Sequence, residues 1–431
     1  MITPKQHQLH YSKLVYDQVK SKGYAYLAGK PRSGKTYTAI LACECSDKIN
    51  RVLVLTTKKA IEGWHVFIDD TLKHKYDIIN YEQAGSVKAI THDGSGRKYK
   101  VPKIIIQLKV NPELYGLVII DESHNTGAFP KPSGRYKVIS KICANLPHIH
   151  LSGTAIVESQ ASIYHQMNIS KFSPFKHKNF YDFHKEFGEP YYIKAGGRDI
   201  NQYDKVKDTL LPLINTFTIY MTQEDAGISE EFQAVDIKHY IVLSDKTRQL
   251  YNDLQDDNIV DVFTNILSET SVEANEAYKL VCDTVMKLRT SLHMLEGGAA
   301  KIDDTYIDLG NREKVNYIKE HFGDISTTGI MCHFIGERQI LEKEFKYAEI
   351  YSSQSHAEGV DLSHLENFVV YSAGYSGAKY IQRRDRTVNL EVKKERLVHH
   401  LLVKGAVSEQ VFKRVTKKED FNNATYEHTR V

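Results

Sequence analysis

At 431 residues the chain is long enough for two or three domains with large buried cores. Its 41% hydrophobic and 26% charged residues are those of an ordinary soluble globular protein, and a net charge of +3 leaves any nucleic-acid affinity to local patches rather than a global field. The cysteines Cys43, Cys45, Cys143, Cys282 and Cys332 are odd in number and form no C-x-x-C pair, so neither a disulfide framework nor a zinc site is indicated. No apolar run approaches the roughly 20 residues that cross a bilayer, and the stretch from Met1 to Gln6 has no apolar signal core. A reducing, cytoplasmic setting without membrane contact is the expectation, whether in a cell or in the host of a virus.

In chain order, Gln6 to Lys22 shows helical spacing, with Leu9, Leu14, Val15 and Val19 near one face and Gly23 closing it. The apolar run Tyr24 to Ala28 reads as a strand and Thr36 to Ala42 as a helix. Between them Gly29-Lys30-Pro31-Arg32-Ser33-Gly34-Lys35-Thr36 fits G-x-x-x-x-G-K-[ST] without a mismatch. Strand, glycine loop and helix N-terminus together make a phosphate cradle. Gly29 and Gly34 let backbone N–H groups turn inward, Lys35 reaches the β- and γ-phosphates, and the Thr36 hydroxyl holds Mg²⁺.

Strand-like runs follow at Arg51 to Leu55, Asp77 to Tyr81, Leu117 to Ile120 and His148 to Leu151, with helical patterns at Lys58 to Phe67 and Arg135 to Ala144. Short apolar strands alternating with helices predict a parallel sheet buried on both faces. Between Thr91 and Pro112 the alternation breaks: Asp93 to Lys98 reads as a turn and Ile104 to Ile106 as an extra strand or hairpin arm. Lys98, Lys100 and Lys103 make a basic cluster there, more often a solvated face than a groove. From Lys171 to Pro190 aromatic residues sit among lysines, a mix that suits base stacking but reads more readily as a packed linking helix.

The strand Leu117 to Ile120 ends in Asp121-Glu122-Ser123-His124, which delivers two carboxylates to the edge where parallel sheets bind ligands. Asp121 suits Mg²⁺ or its water shell, and Glu122 suits the activation of an attacking water. A helix cap after a core strand is the plain alternative; the phosphate loop upstream favours hydrolysis. A second unit begins between Tyr220 and Lys238. Ser244 to Leu295 reads as two or more long helices, and a new alternation follows, with strands at Gly329 to Phe334, Tyr347 to Tyr351, Phe368 to Tyr371 and Leu397 to Val403.

The series G-K-P-R-S-G-K-T, D-E-S-H and S-G-T-A (Ser152 to Ala155) resembles motifs I, II and III of superfamily 2 helicases. Pro4-Lys5-Gln6, Trp64, Asn80-Tyr81-Glu82 and His150 to Ala155 are similar to features of the Swi/Snf-type branch. Ala357 to Leu362 and Tyr380 to Arg386 resemble its motifs V and VI. The resemblance spans nearly the whole chain, is most specific in motifs I to III, and fits a compact bacteriophage-type DNA helicase better than a chromatin remodeller.

The resemblance implies two RecA-like α/β domains in tandem, at residues 1–225 and 226–431, with a helical insertion near 244–300. It implies ATP and Mg²⁺ as cofactors and hydrolysis that drives movement on DNA, at forked or branched substrates. Gln6 would read the adenine edge, while Gly29, Ser33, Gly34, Lys35 and Thr36 bind nucleotide. Thr36 and Asp121 hold the metal, Glu122 is the base, and His124, Ser152 and Thr154 couple hydrolysis to motion. Gly359 and Asp361 line the cleft, and Arg386 is the arginine finger with Gln382 beside it. Where the family's motif VI has its second arginine this chain has Asn389, so Arg383 or Arg384 substitutes, or Arg386 works alone.

Hydroxyls and cations at strand ends grip phosphates without reading bases, which makes Thr56, Lys58, Tyr81 and Ser352 the candidate contacts to single-stranded, duplex or branched DNA. Other replication or recombination proteins are candidate partners. A nucleotide-gated clamp, an RNA helicase and a P-loop kinase are the competing readings.

Overall fold

The computed structural model describes residues 3–30, 32–92, 98–153, 160–195, 198–227, 234–266, 274–323, 325–353, 362–388, 396–422 and 425–431. Of the residues singled out above, Pro31, Thr154, Ala155, Gly359, Asp361 and Asn389 lie outside these, as do residues 93–97 of the expected turn and 357–361 of the segment that resembles motif V. The chain divides into two compact units, Met1–Ile228 and Ser229–Val431.

In the first unit the order is α1 (Gln6–Lys22), β1 (Tyr24–Gly29), α2 (Lys35–Glu44), β2 (Arg51–Thr56), α3 (Ile61–His65), β3 (Lys75–Asn80), α4 (Tyr81–Ala84), β4 (Gly85–His92) and β5 (Lys98–Leu108). Then come β6 (Leu117–Ile120), α5 (Gly134–Cys143), β7 (His148–Ser152), α6 (Ile163–Met167), α7 (Phe180–Phe187), β8 (Tyr191–Ala195), β9 (Arg198–Gln202), α8 (Leu210–Asn215) and β10 (Thr218–Met221). Six strands form one sheet in the order β10-β1-β7-β6-β2-β3, every neighbouring pair parallel. The period of two along each strand divides the core. Ala25 and Leu27 pack with Val15, Ile40, Val54 and Ile119 on one face. On the other face Tyr24 and Tyr26 join Ile163, Phe180 and Phe183, while Leu53, Leu55, Val118 and Ile120 meet Ile139 and Ile142.

Because β7 lies between β1 and β6, the loops after all three emerge side by side at the carboxyl edge of the sheet. The aromatic segment is core: Phe175, Phe180 and Phe183 are buried around α7, while Tyr181 alone of its named rings is strongly exposed. The helix expected from Lys58 to Phe67 is confined to Ile61–His65, preceded by a turn that Ala60 N–H closes on Thr57 O.

The second unit contains β11 (Ala234–Tyr240), α9 (Asp245–Asp257), β12 (Ile259–Ile266), β13 (Ala274–Val281), α10 (Val285–Leu295), β14 (Ala299–Ile302), β15 (Thr305–Asp308) and α11 (Glu313–His321). It continues with β16 (Thr328–Cys332), α12 (Ile335–Glu344), β17 (Glu349–Ser352), β18 (Asn367–Val370), α13 (Gly377–Arg384), β19 (Arg396–Leu402) and α14 (Val407–Val415). Its main sheet is five-stranded and parallel, in the order β11-β19-β18-β16-β17. Both units are therefore mixed α/β with parallel sheets.

The all-helical middle is corrected. Helices α9 and α10 are separated by an antiparallel ribbon of β12 and β13. Asn258, in the left-handed region at φ 59°, ends α9, and the β-branched Ile259, Val260 and Val262 start a strand at once. No helix among the described residues is long and apolar enough to cross a membrane.

Candidate active site

The phosphate loop leaves β1 at Gly29 and enters α2 at Lys35. A Cβ on Gly29 would stand 2.8 Å from Ser33 Oγ and 3.2 Å from Met221 Cε, so the loop closes too tightly for any side chain. Gly34 has φ +89°, and a Cβ there would lie 2.5 Å from Gln8 Nε2. Arg32 is also left-handed, at φ 67°. Left-handed residues of this kind are found in backbone anion nests, while the Ser33 N–H is bonded to Lys30 O at 3.1 Å. No side chain caps α2, and its first turn holds no acidic residue, which leaves the dipole-positive end to an anion.

Ser33 is buried, and its hydroxyl donates to Lys30 O at 2.7 Å, so its side chain braces the loop from inside. Gln6 is exposed at the start of α1. The residues that α1 brings to the loop are His7, whose Nε2 lies 3.0 Å from Ser33 O, and Gln8, whose Nε2 reaches Gly34 O at 3.5 Å.

At the end of β6, Asp121 is buried and held by several donors. Thr56 Oγ1 and Trp64 Nε1 both donate to Oδ2, at 2.8 and 2.9 Å, and the Glu122 N–H donates to Oδ1 at 3.0 Å. The Tyr81 hydroxyl donates to the Asp121 carbonyl. Burial and the neighbouring Glu122 carboxylate push the Asp121 carboxyl above its ordinary value; Lys35, Trp64 and Thr56 oppose the rise. The two carboxylate oxygens of Asp121, beside the Lys35 charge at the start of α2, are a donor set suited to Mg²⁺.

Glu122 is buried with φ 49° and ψ 48°, a left-handed backbone that costs a non-glycine residue about 1–2 kcal/mol. His124 Nδ1 lies 3.4 Å from Glu122 Oε2 and 3.1 Å from Ser152 Oγ, so one imidazole touches both the carboxylate after β6 and the hydroxyl that ends β7.

Two expected nucleic-acid contacts are corrected. Thr56 is fully buried and Tyr81 nearly so, and both hydroxyls are directed at Asp121, so neither side chain faces a phosphate from solvent. Strand-end hydroxyls read the same in sequence whether they face in or out. Lys58 is exposed in the turn beyond β2. Trp64, placed above only by resemblance, is a direct partner of Asp121.

In the second unit Ser352, the last residue of β17, is half-buried, while Ser353 is buried, its carbonyl accepting from Arg383 Nη2 and its hydroxyl 2.5 Å from His333 Nδ1. Arg384 is tied to Asp236 of β11 at 3.0 Å and to Asp385 at 3.3 Å, as a structural ion pair would be. Gln382 is buried on α13, and Arg386 is half-buried in the 3-10 turn Asp385–Thr387. Sequence reasoning missed the buried Glu337, at the third position of α12, which accepts from the Phe334 N–H at 3.2 Å and from the Ser372 hydroxyl. Burial lifts its carboxyl to about 7 against the pull of Lys314. Phe334, three residues earlier, has no side-chain acceptor to complete a capping box, so the sequence carries no local signal for Glu337.

Compared with known proteins, the chain matches no family model and no curated sequence.

Proposed function

We propose that the protein is an ATP-driven DNA translocase of the superfamily 2, Swi/Snf-like kind, built from two RecA-like domains in tandem. The observation that carries the reading is the arrangement around β7. A phosphate loop follows β1, a paired carboxylate follows β6, and Ser152 at the end of β7 between them touches His124, which also touches Glu122.

ATP places its phosphates at the N-terminus of α2, where Lys35 meets the β/γ oxygens. Thr36 and Asp121 would hold Mg²⁺, which supplies positive charge to the phosphate oxygens. Thr56 and Trp64 favour the ionised form of Asp121 and hold it in one rotamer. Glu122 orients the attacking water and takes its proton at the carboxylate. His124 keeps that carboxylate in place and carries its position to Ser152. Arg386 of the second unit would serve, as the resemblance implies, as the fixed cation on the transferring phosphoryl group. Lys58 and Ser352 contact the DNA backbone without reading bases.

The test is the ATP hydrolysis rate of the wild-type protein with single-stranded, duplex, forked and four-way DNA, and with RNA. DNA should stimulate hydrolysis with little dependence on base sequence, most strongly at forked or branched DNA. Stimulation by RNA alone, or none by any nucleic acid, overturns the reading.

A further inference from the structure

Among the described residues there are four separate two-stranded sheets, and β4 with β5 is the one that carries strong positive charge. Its segment, residues 85–108, holds Lys88, Arg97, Lys98, Lys100 and Lys103 against Asp93 alone. The β12–β13 segment, by contrast, holds Asp261, Glu269, Glu273 and Glu276 against Lys279.

The root of the β4–β5 ribbon is anchored. Val87, Ile106 and Leu108 pack in the cluster that includes Val138 of α5, and Lys141 Nζ donates to Ile106 O at 3.2 Å. Beyond Val87 every residue of β4 is exposed. On the other arm the adjacent Ile104 and Ile105 are 45% and 40% exposed. Successive strand residues face opposite ways, so at this level neither face of the ribbon is covered within the unit. The ribbon also springs from the catalytic edge. It follows α4 directly, and Tyr81, the first residue of α4, is hydrogen-bonded to the Asp121 carbonyl.

We propose that the β4–β5 ribbon is an arm that engages duplex DNA, entering a groove with its basic strands against the phosphates. A two-stranded ribbon is the one sheet element a major groove admits, and five cations against one carboxylate supply the complementary charge. The exposed isoleucines Ile90, Ile104 and Ile105 give the arm an apolar surface against the sugars and bases. The inference rests on the translocase reading but adds to it a DNA-binding element distinct from Lys58 and Ser352.

The test uses two variants. One combines Lys98→Glu, Lys100→Glu and Lys103→Glu. The other replaces residues 89–104 by Asn-Gly, which joins the paired positions Lys88 and Ile105 in a tight hairpin and leaves the root intact. Each is compared with the wild type for binding to a labelled DNA duplex, its single strand and the matching RNA duplex across a salt series, with unchanged melting temperature as the check on folding. Both variants should bind duplex DNA at least about tenfold more weakly, with the salt slope reduced by roughly 0.9 for each phosphate the arm no longer neutralises. ATP hydrolysis stimulated by single-stranded DNA should stay at the wild-type rate. Wild-type duplex affinity and salt slope in both variants overturn the arm alone. Variants that only lose solubility overturn it too, because the lysines then merely guard an exposed edge. Loss confined to the RNA duplex assigns the arm to the other nucleic acid and also overturns it. A wild-type protein that hydrolyses ATP yet binds no DNA sinks the translocase reading itself, and the arm with it.

Discussion

Removing the two side-chain donors on Asp121 Oδ2 should cripple hydrolysis more than it unsettles the fold. Thr56→Val deletes a hydroxyl 2.8 Å from that oxygen with little change of shape, and Trp64→Phe deletes an N–H at 2.9 Å while keeping an aromatic ring in the core. A hydrogen bond to a charged acceptor contributes about 1.5–3 kcal/mol, and each 1.4 kcal/mol is a factor of ten. Each single variant should therefore lose on the order of ten- to a hundredfold in turnover. Burial and Glu122 already raise the Asp121 carboxyl, and the two donors are among the groups that oppose the rise. Without them the acid limb of the pH–rate profile should move to higher pH, and more Mg²⁺ should be needed for half-maximal rate. The assay is steady-state ATP hydrolysis across pH and Mg²⁺ concentration, with thermal melting as the check on folding. A folded double variant with the wild-type acid limb and Mg²⁺ dependence would refute the role given to Asp121.

Other outcomes follow from the same geometry. Lys35→Ala should abolish hydrolysis, whereas Glu122→Gln should keep nucleotide binding, measured with a fluorescent ATP analogue, and stop turnover; near-normal turnover would remove Glu122 as the base. Arg386→Ala should spare nucleotide binding and lower turnover by about a thousandfold, while Arg384→Ala should act on stability, by about 1.5–3 kcal/mol, because Asp236 loses its arginine partner while keeping Tyr380 and His400. If Arg384→Ala or Arg383→Ala alone abolishes hydrolysis in a fully stable protein, the finger is misplaced. Tyr81→Phe should leave DNA affinity unchanged and cost about 1 kcal/mol in stability or turnover through removal of the hydrogen bond to Asp121 O; weakened DNA binding would restore Tyr81 as a nucleic-acid contact. Burial pushes His148 and His333 down to about 4, so the folded state resists their protonation. Stability should be full above about pH 6.5 and fall towards pH 4, by on the order of 2 kcal/mol per histidine at pH 5; denaturation midpoints that stay flat over this range would contradict the burial.

The strand, glycine loop and helix around Gly29 to Thr36 and the buried strand before Asp121 and Glu122 were legible because their patterns are local. Gly29, Gly34, Lys35 and Thr36 join the end of β1 to the start of α2, and Asp121 with Glu122 directly follows an uninterrupted apolar strand. The strands of both parallel sheets were legible for the same reason, as short apolar runs. What sequence could not convey was direction and distance. Thr56 and Tyr81 look like surface hydroxyls until β2, β3 and β6 bring them against Asp121, and the bond from Trp64 to Asp121 spans a separation of 57 residues. The β12–β13 ribbon was read as helix because its return strand carries Ala274, Glu276 and Ala277, good helix formers, and its partner strand is out of local view.

Motion on DNA is tested most directly by displacement of a third strand from a triplex. The wild-type protein should release the third strand only when ATP and Mg²⁺ are present, from triplexes of unrelated base sequence, and the Glu122→Gln protein should bind the same DNA and release nothing. Hydrolysis of ATP by the wild type on that DNA with no strand released, or equal release by Glu122→Gln, would contradict the account.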